Sequence, residues 1–312
     1  MTALMLLGYV AFTAFVVAVL ARVIHFANTP VHLRWELYPV PHEPPEKASH
    51  GGSYLEDVDW WTKPHESNPV GELIDMFGEM LLIKALWHHN RKLWLVSFPF
   101  HLGLYSLMGF VGLLLLGGLL SVLGVQISPD GGLLGQALTY LTALAGFAGF
   151  ALGFLGACGL LARRLMDPDL RDFTGPIDYL NLVAFVVFFA VGGVMMALDP
   201  LAADLHAYFA GLFALKAAQG LSIVTVVAIV MANLMVIYIP LTHMSHFVAK
   251  YFTWHSVRWN DEALLPGTKL DEAIGQQLAY KPTWSAPHMG ADGERSWAEI
   301  ATTNPFAEET KK

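Results

Sequence analysis

Cysteine is nearly missing from this 312-residue chain, where Cys158 is the only one. A disulfide needs two cysteines and an iron–sulfur cluster about four cysteine ligands, so any cluster this protein exchanges electrons with belongs to another subunit. Charge is scarce too. Asp, Glu, Lys and Arg make up 14% of the residues and hydrophobic residues 55%, whereas a soluble domain carries roughly 25% charged residues. That imbalance excludes an ordinary soluble domain, and a net charge of −8 gives no reason to expect a nucleic-acid partner. The alternating ten-residue segments of a β-barrel are absent, as are internal repeats and low-complexity tracts. The first apolar run also lacks a basic leader, because its first cation, Arg22, follows most of the run. It reads as a membrane span, not a cleaved signal.

What the chain does have is long apolar runs. A helix of ~20 apolar residues crosses the ~30 Å hydrocarbon core, and five such runs are predicted as spans, over 4–26, 93–120, 134–161, 177–198 and 221–252. The fold class is therefore an all-α integral membrane protein with five transmembrane helices. Placing the N-terminus outside puts every Lys and Arg but Lys216 on one side, so the positive-inside rule sets the N-terminus outside and the C-terminus in the cytoplasm. The expected organisation is a five-helix membrane domain over 1–260, with a long cytoplasmic loop at 27–92, and an acidic cytoplasmic tail over 261–312.

The long loop contains Pro30, Pro39, Pro41, Pro44, Pro45, Pro64 and Pro69, which predicts irregular backbone. It also holds Trp35, Tyr38, Tyr54, Trp60 and Trp61, aromatics that a disordered linker rarely carries. We read it as ordered, packed on the membrane face or on a partner, with a short interfacial helix over 70–89. The segment DPLAADLHAYFAGLFALKAAQG after the fourth span predicts an amphipathic helix on the outer surface. The tail, with Trp284 and Trp297, shows no strong periodicity and suggests an extended arm.

Thirteen histidines are present, and depth sorts them. His42, His50, His65 and His288 fall in polar loops. His25, His32 and His255 sit just at or past span ends, and His88 and His89 join Asn90, Arg91 and Lys92 in a headgroup-facing cluster. His206, in the outer amphipathic segment, either approaches a quinone or faces water. His101, His243 and His246 remain, within apolar runs where an ionisable side chain is costly unless it meets a partner, a cavity or a cofactor. His101 lies eight residues inside the second span, roughly 12 Å deep at ~1.5 Å per residue. His246 lies six residues before the end of the fifth, roughly 9 Å from the same surface. Two level histidines on different helices are what bis-imidazole ligation of a membrane haem b requires. Tyr105, Met108 and Gly112 share the His101 face, and Gly112 would leave room for the ring edge. Pro240 is expected to kink the fifth helix before His246. His243, three residues from His246, either donates to a propionate or is the ligand instead. Arg91, Lys92 and Arg258 are propionate partners by sidedness.

The chain resembles the haem b subunits typified by the gamma subunit of respiratory nitrate reductase. The five-span layout carries the resemblance, with FHLG at 100–103 similar to that family's Phe-His-x-Gly and IPLTHMSHF at 239–247 similar to its fifth-helix ending. On that match His101 and His246 bind the haem nearer the cytoplasm, as ligands of its iron. The loop segments HLRWELYPVPHE and GGSYLEDVDWW look closer to a branch in sulfate and metal reducers, where the b subunit accompanies an iron–sulfur protein related to heterodisulfide reductase in complexes of the Tmc, Hmc and Dsr type. The family's outer histidine pair is replaced here by Val111 and Ala228, so one haem b is expected.

The resemblance implies electron transfer between the quinone pool, menaquinone in particular, and a cytoplasmic iron–sulfur partner, as part of a quinone-linked oxidoreductase complex of anaerobic respiration. It also implies a bacterial or archaeal cytoplasmic membrane, with further membrane or periplasmic cytochrome subunits as additional candidate partners. Lys216, His206 and Gln219 are outer-side candidates for quinone protonation; His243 and the acidic loop are inner-side ones. Two competing classes are a haem-free membrane anchor and a proton-relaying transporter.

Overall fold

The computed structural model describes residues 2–29, 46, 49–50, 56–63, 67–259, 265–283 and 291–304. Expectations about His32, His42, His65, His288, Trp35, Tyr38, Tyr54, Trp284 and Pro30–Pro45 lie outside the described residues. Among those described, secondary structure is helical: α1 (Ala3–Ala27), α2 (Pro69–Leu82), α3 (Lys84–His89), α4 (Arg91–Val122), α5 (Leu133–Met166), α6 (Pro168–Arg171), α7 (Pro176–Leu198), α8 (Ala203–Ala214), α9 (Ile223–Leu241), α10 (His246–Thr253), α11 (Lys269–Leu278) and α12 (Trp297–Thr302). Five of them, α1, α4, α5, α7 and α9, are long and apolar enough to cross a membrane.

Two compact units form. The first comprises 1–18 and 77–244, the second 19–76 and 245–312. In the first, α4 and α5 pack as an antiparallel pair whose spacing is set by glycine. In a lipid setting no hydrophobic force drives helices together, so close approach by small residues matters more than apolar area. Gly146, Gly149, Gly153 and Gly156 form a stripe along α5. A Cβ on Gly103 would collide with the backbone of Gly153, and one on Gly149 would lie 2.6 Å from Leu107. The space left by these glycines is filled by rings. Phe100 meets Phe185 edge to face at 5.1 Å, and Phe185 stacks on Phe189 at 5.8 Å, the offset and T-shaped geometries that ring quadrupoles prefer.

Polar bonds fix the far end of this unit. Asp204 of α8 accepts from the Ser222 amide at 2.9 Å and the Thr225 hydroxyl at 3.0 Å, holding α8 to the start of α9. The Tyr9 hydroxyl donates to the Leu212 carbonyl at 2.6 Å, joining α1 to α8. At the opposite end, Arg164 donates to Thr174 at 2.9 Å and Tyr179 to the Arg164 carbonyl at 3.1 Å, bracing the turn between α5 and α7.

Four expectations change. The fifth apolar run is not one helix to 252: α9 ends at Leu241, a 3₁₀ turn spans His243–Ser245, and α10 begins at His246. Pro240 accounts for the stop, since a proline near a helix end cannot donate the next bond and clashes with the preceding turn. The interfacial helix over 70–89 is two helices, parted at Ile83, whose φ of 51° is strained for a β-branched residue. The outer segment does not lie free on a surface; α8 buries Leu205, His206, Tyr208 and Gly211. A Cβ at Gly118 of α4 would meet the Phe209 backbone at 2.8 Å. The tail, expected as an extended arm, contains α11 and α12, joined by a bond from the Trp297 amide to the Tyr280 carbonyl at 2.9 Å.

Candidate functional site

His101 lies in the first unit, two residues after Pro99 of α4. Its Nδ1 is 2.8 Å from the Ser97 carbonyl and 3.3 Å from the Ser97 hydroxyl. A carbonyl only accepts, so Nδ1 carries the proton and the lone pair sits on Nε2. Phe100 holds the ring edge-on at 5.4 Å. The helix face carrying His101 continues through Tyr105, Met108 and Gly112, one side of a 3.6-residue period. That face is open: Met108 is 72% exposed, and a Cβ on Gly112 would meet nothing within 4 Å. Tyr105 is engaged elsewhere, its hydroxyl donating to the Met80 carbonyl at 2.7 Å and its ring 6.4 Å from His101.

His243, also in the first unit, faces α7. Its Nε2 is 3.5 Å from the Asn181 amide and 3.9 Å from the Asp178 carboxylate, and Asn181 accepts from Tyr238 at 2.7 Å. Asn181 is buried, so this polar group reaches into the helix pack. Of the cations, Arg91 lies over the Trp87 ring at 4.6 Å, and Lys92 is exposed.

His246 belongs to the second unit, as the exposed first residue of α10. Lys250 and Arg258 lie against the Trp254 ring at 4.8 and 5.9 Å. Four-residue spacing places His246, Lys250, Trp254 and Arg258 in one sequence register, although a π-helical turn over Trp254–Trp259 widens the last step. Phe26 packs on Phe252 at 5.8 Å.

Two groups escaped sequence reasoning. His206, expected to face water or a quinone, is 7% exposed, and neither ring nitrogen has a hydrogen-bond partner among the described residues. Gly117 makes room for it, since a Cβ there would lie 3.2 Å from Nδ1. Burial lowers its pKa below the ordinary histidine value, with Asp199 partly opposing. The signal was present: His206 shares the apolar side of α8 with Phe209, three residues on. The other is the pair His255–Glu72 in the second unit. Nδ1 of His255 is 2.9 Å from both oxygens of Glu72, a carboxylate residue only 3% exposed. No local pattern announces a contact across 183 positions.

Lys216 and Gln219 are exposed. No group of three or more His, Cys, Asp or Glu side chains suited to a metal ion occurs among the described residues; axial ligation of a haem asks for two. Compared with known proteins, the chain matches no family model, no curated protein and no solved structure.

Proposed function

We propose that this chain is a membrane cytochrome b subunit that carries electrons between a membrane quinone, menaquinone in particular, and a cytoplasmic iron–sulfur partner. In this reading His101 and His246 are the axial ligands of a single b-type haem. The observation that carries it is the state of His101. A membrane-helix imidazole whose Nδ1–H is tied to a backbone carbonyl is oriented as a metal-bound histidine is, with its ring fixed by the nitrogen that does not ligate. It does so on a helix face left open through Met108 and Gly112, in a chain whose other spans carry few ionisable groups. The haem, when bound, supplies a one-electron carrier; the residues orient it, bury it and set its potential.

Around that centre Ser97 holds the His101 ring, and Phe100 limits its rotation. Arg258 and Lys250, both following His246 at four-residue steps, suit the anionic propionates, as does Arg91 beside His101's helix start. The charge distribution supports an N-terminus outside and a C-terminus in the cytoplasm, which sets the haem near the inner leaflet of a bacterial or archaeal cytoplasmic membrane. A partner related to heterodisulfide reductase follows only from the sequence resemblance.

A pyridine haemochrome titration of the purified chain tests the reading. One haem per chain is expected; zero sinks the assignment in favour of a haem-free anchor, and two overturns the single-haem count. His101→Ala and His246→Ala should each abolish the b-type spectrum, whereas His243→Ala should only shift it. Loss of haem in His243→Ala alone would move the second ligand from His246 to His243.

A further inference from the structure

Glu72 and His255 are the least explained ionisable pair in the protein. Glu72 opens the first turn of α2, where a carboxylate is ordinarily a solvated partner for the helix N-terminus. Here it is 3% exposed, and among the described residues its carboxylate meets one side chain, His255. Leaving a lone carboxylate buried is expensive, so its partner is held tightly. The histidine, in contrast, is half open: its side chain is 40% exposed, and the Tyr251 ring stacks against it at 6.0 Å and 12°. Since a carboxylate only accepts, Nδ1 carries the proton. In the neutral ring the lone pair is then on Nε2, at the far end from Glu72.

We propose that Glu72 and His255 form a proton-accepting dyad for the hydroxyl of a membrane hydroquinone. This rests on the cytochrome b reading, which supplies the oxidant, a ferric haem b. An O–H bond of the hydroquinone breaks and its proton passes to Nε2 of His255; the electron released with it would go to the ferric haem b that His101 and His246 would hold, the one-electron oxidant on that reading. The second hydroxyl gives its proton and electron in the same way after the dyad and haem have been reset, by proton release to water and by electron transfer to the iron–sulfur partner. The product is the quinone, two protons and two electrons. Glu72 acts as a positioning residue. It fixes the tautomer and, once Nε2 is protonated, pairs the new imidazolium with a charge already buried beside it. Tyr251 flanks the open ring and suits a flat, partly apolar ligand. A purely structural latch would need neither the stacked ring nor an open Nε2.

The test uses the full-length chain and menadiol, a short hydroquinone, with haem reduction followed optically. His255→Gln and Glu72→Gln are compared with wild type for haem content, dithionite-reduced spectrum and menadiol-driven rate. The glutamine at 72 still accepts the Nδ1–H bond, so a mere latch survives it. The dyad predicts unchanged haem content and dithionite spectra, with the rate at saturating menadiol reduced by roughly 100-fold in His255→Gln, the scale of general acid–base catalysis. Glu72→Gln should lose about tenfold or more, since it keeps the hydrogen bond but not the charge that strengthens the base. Free imidazole should restore part of the rate to His255→Ala. Wild-type rates in both glutamine variants, or no rescue by imidazole, overturn the dyad while leaving the cytochrome reading standing. Absence of haem in the wild-type chain overturns the reading itself.

Discussion

His206→Leu should make this protein more stable, against the usual direction of core substitutions. The ring is 7% exposed and both nitrogens lack partners among the described residues. Each buried polar group without a hydrogen bond costs about 1–3 kcal/mol, and leucine occupies a similar volume without that penalty. Imperfect shape replacement costs up to about 1.5 kcal/mol, so a net gain of roughly 1–2 kcal/mol at neutral pH is expected. The second half of the prediction concerns acid. Burial holds the folded-state pKa of His206 below its ordinary value, so the unfolded chain binds the proton more readily. The stability contributed by the neutral ring is present above the unfolded pKa, about 6.5, and is lost as pH falls below it. The advantage of His206→Leu over wild type must therefore widen between about pH 7 and pH 5. Because the other histidines titrate in both proteins, the difference between the two melting curves isolates this one. Thermal unfolding in detergent across that range, read as the shift in Tm, is the assay. A variant less stable than wild type at pH 7, or a difference that does not change with pH, would refute the reasoning and show that a ring nitrogen is engaged.

Other outcomes follow from the packing and the charge pattern. Gly103→Val should cost several kcal/mol, at or above the ~3 kcal/mol upper range of ordinary substitutions, because its Cβ collides with the Gly153 backbone; Gly112→Val, open on that side, should be near neutral in the same melting assay until haem is added. Asp204→Ala removes the carboxylate that accepts from Ser222 and Thr225 and should lower stability by about 1.5–3 kcal/mol, the worth of hydrogen bonds to a charged group, while Thr225 keeps the Ser222 hydroxyl at 2.9 Å. In a Cys158→Ala background, a cysteine introduced at Thr2 should react with an impermeant maleimide in intact cells, while one at Thr302 should react only after lysis. The reverse pattern would invert the proposed orientation.

Much of the scaffold could be read from composition. The first four spans fall within a few residues of the helices observed, because membrane helices are set by the length of an apolar run and little else. His101 was legible for the same reason, as a polar group where the bilayer penalises one. The fifth helix was read as kinked at Pro240 but continuous to 252, whereas the backbone stops at Leu241 and restarts at His246; the proline marks the place without saying whether the helix bends or breaks. His206 was misread because a histidine on an amphipathic helix at the outer surface looks solvated. Only the approach of α8 to Gly117 and Gly118 buries it.

The sequence by itself determined the number of apolar helices, the scarcity of cysteine and the candidate residues at membrane depth. All of these depend on composition or on which residues neighbour each other along the chain. Tertiary structure alone decided that His243 turns toward Asp178 and Asn181, and that Glu72 is buried against His255. Those outcomes depend on which distant segments share space, and no local pattern records that. A bilayer selects helices one at a time, but contacts among side chains select which of their polar groups do chemistry.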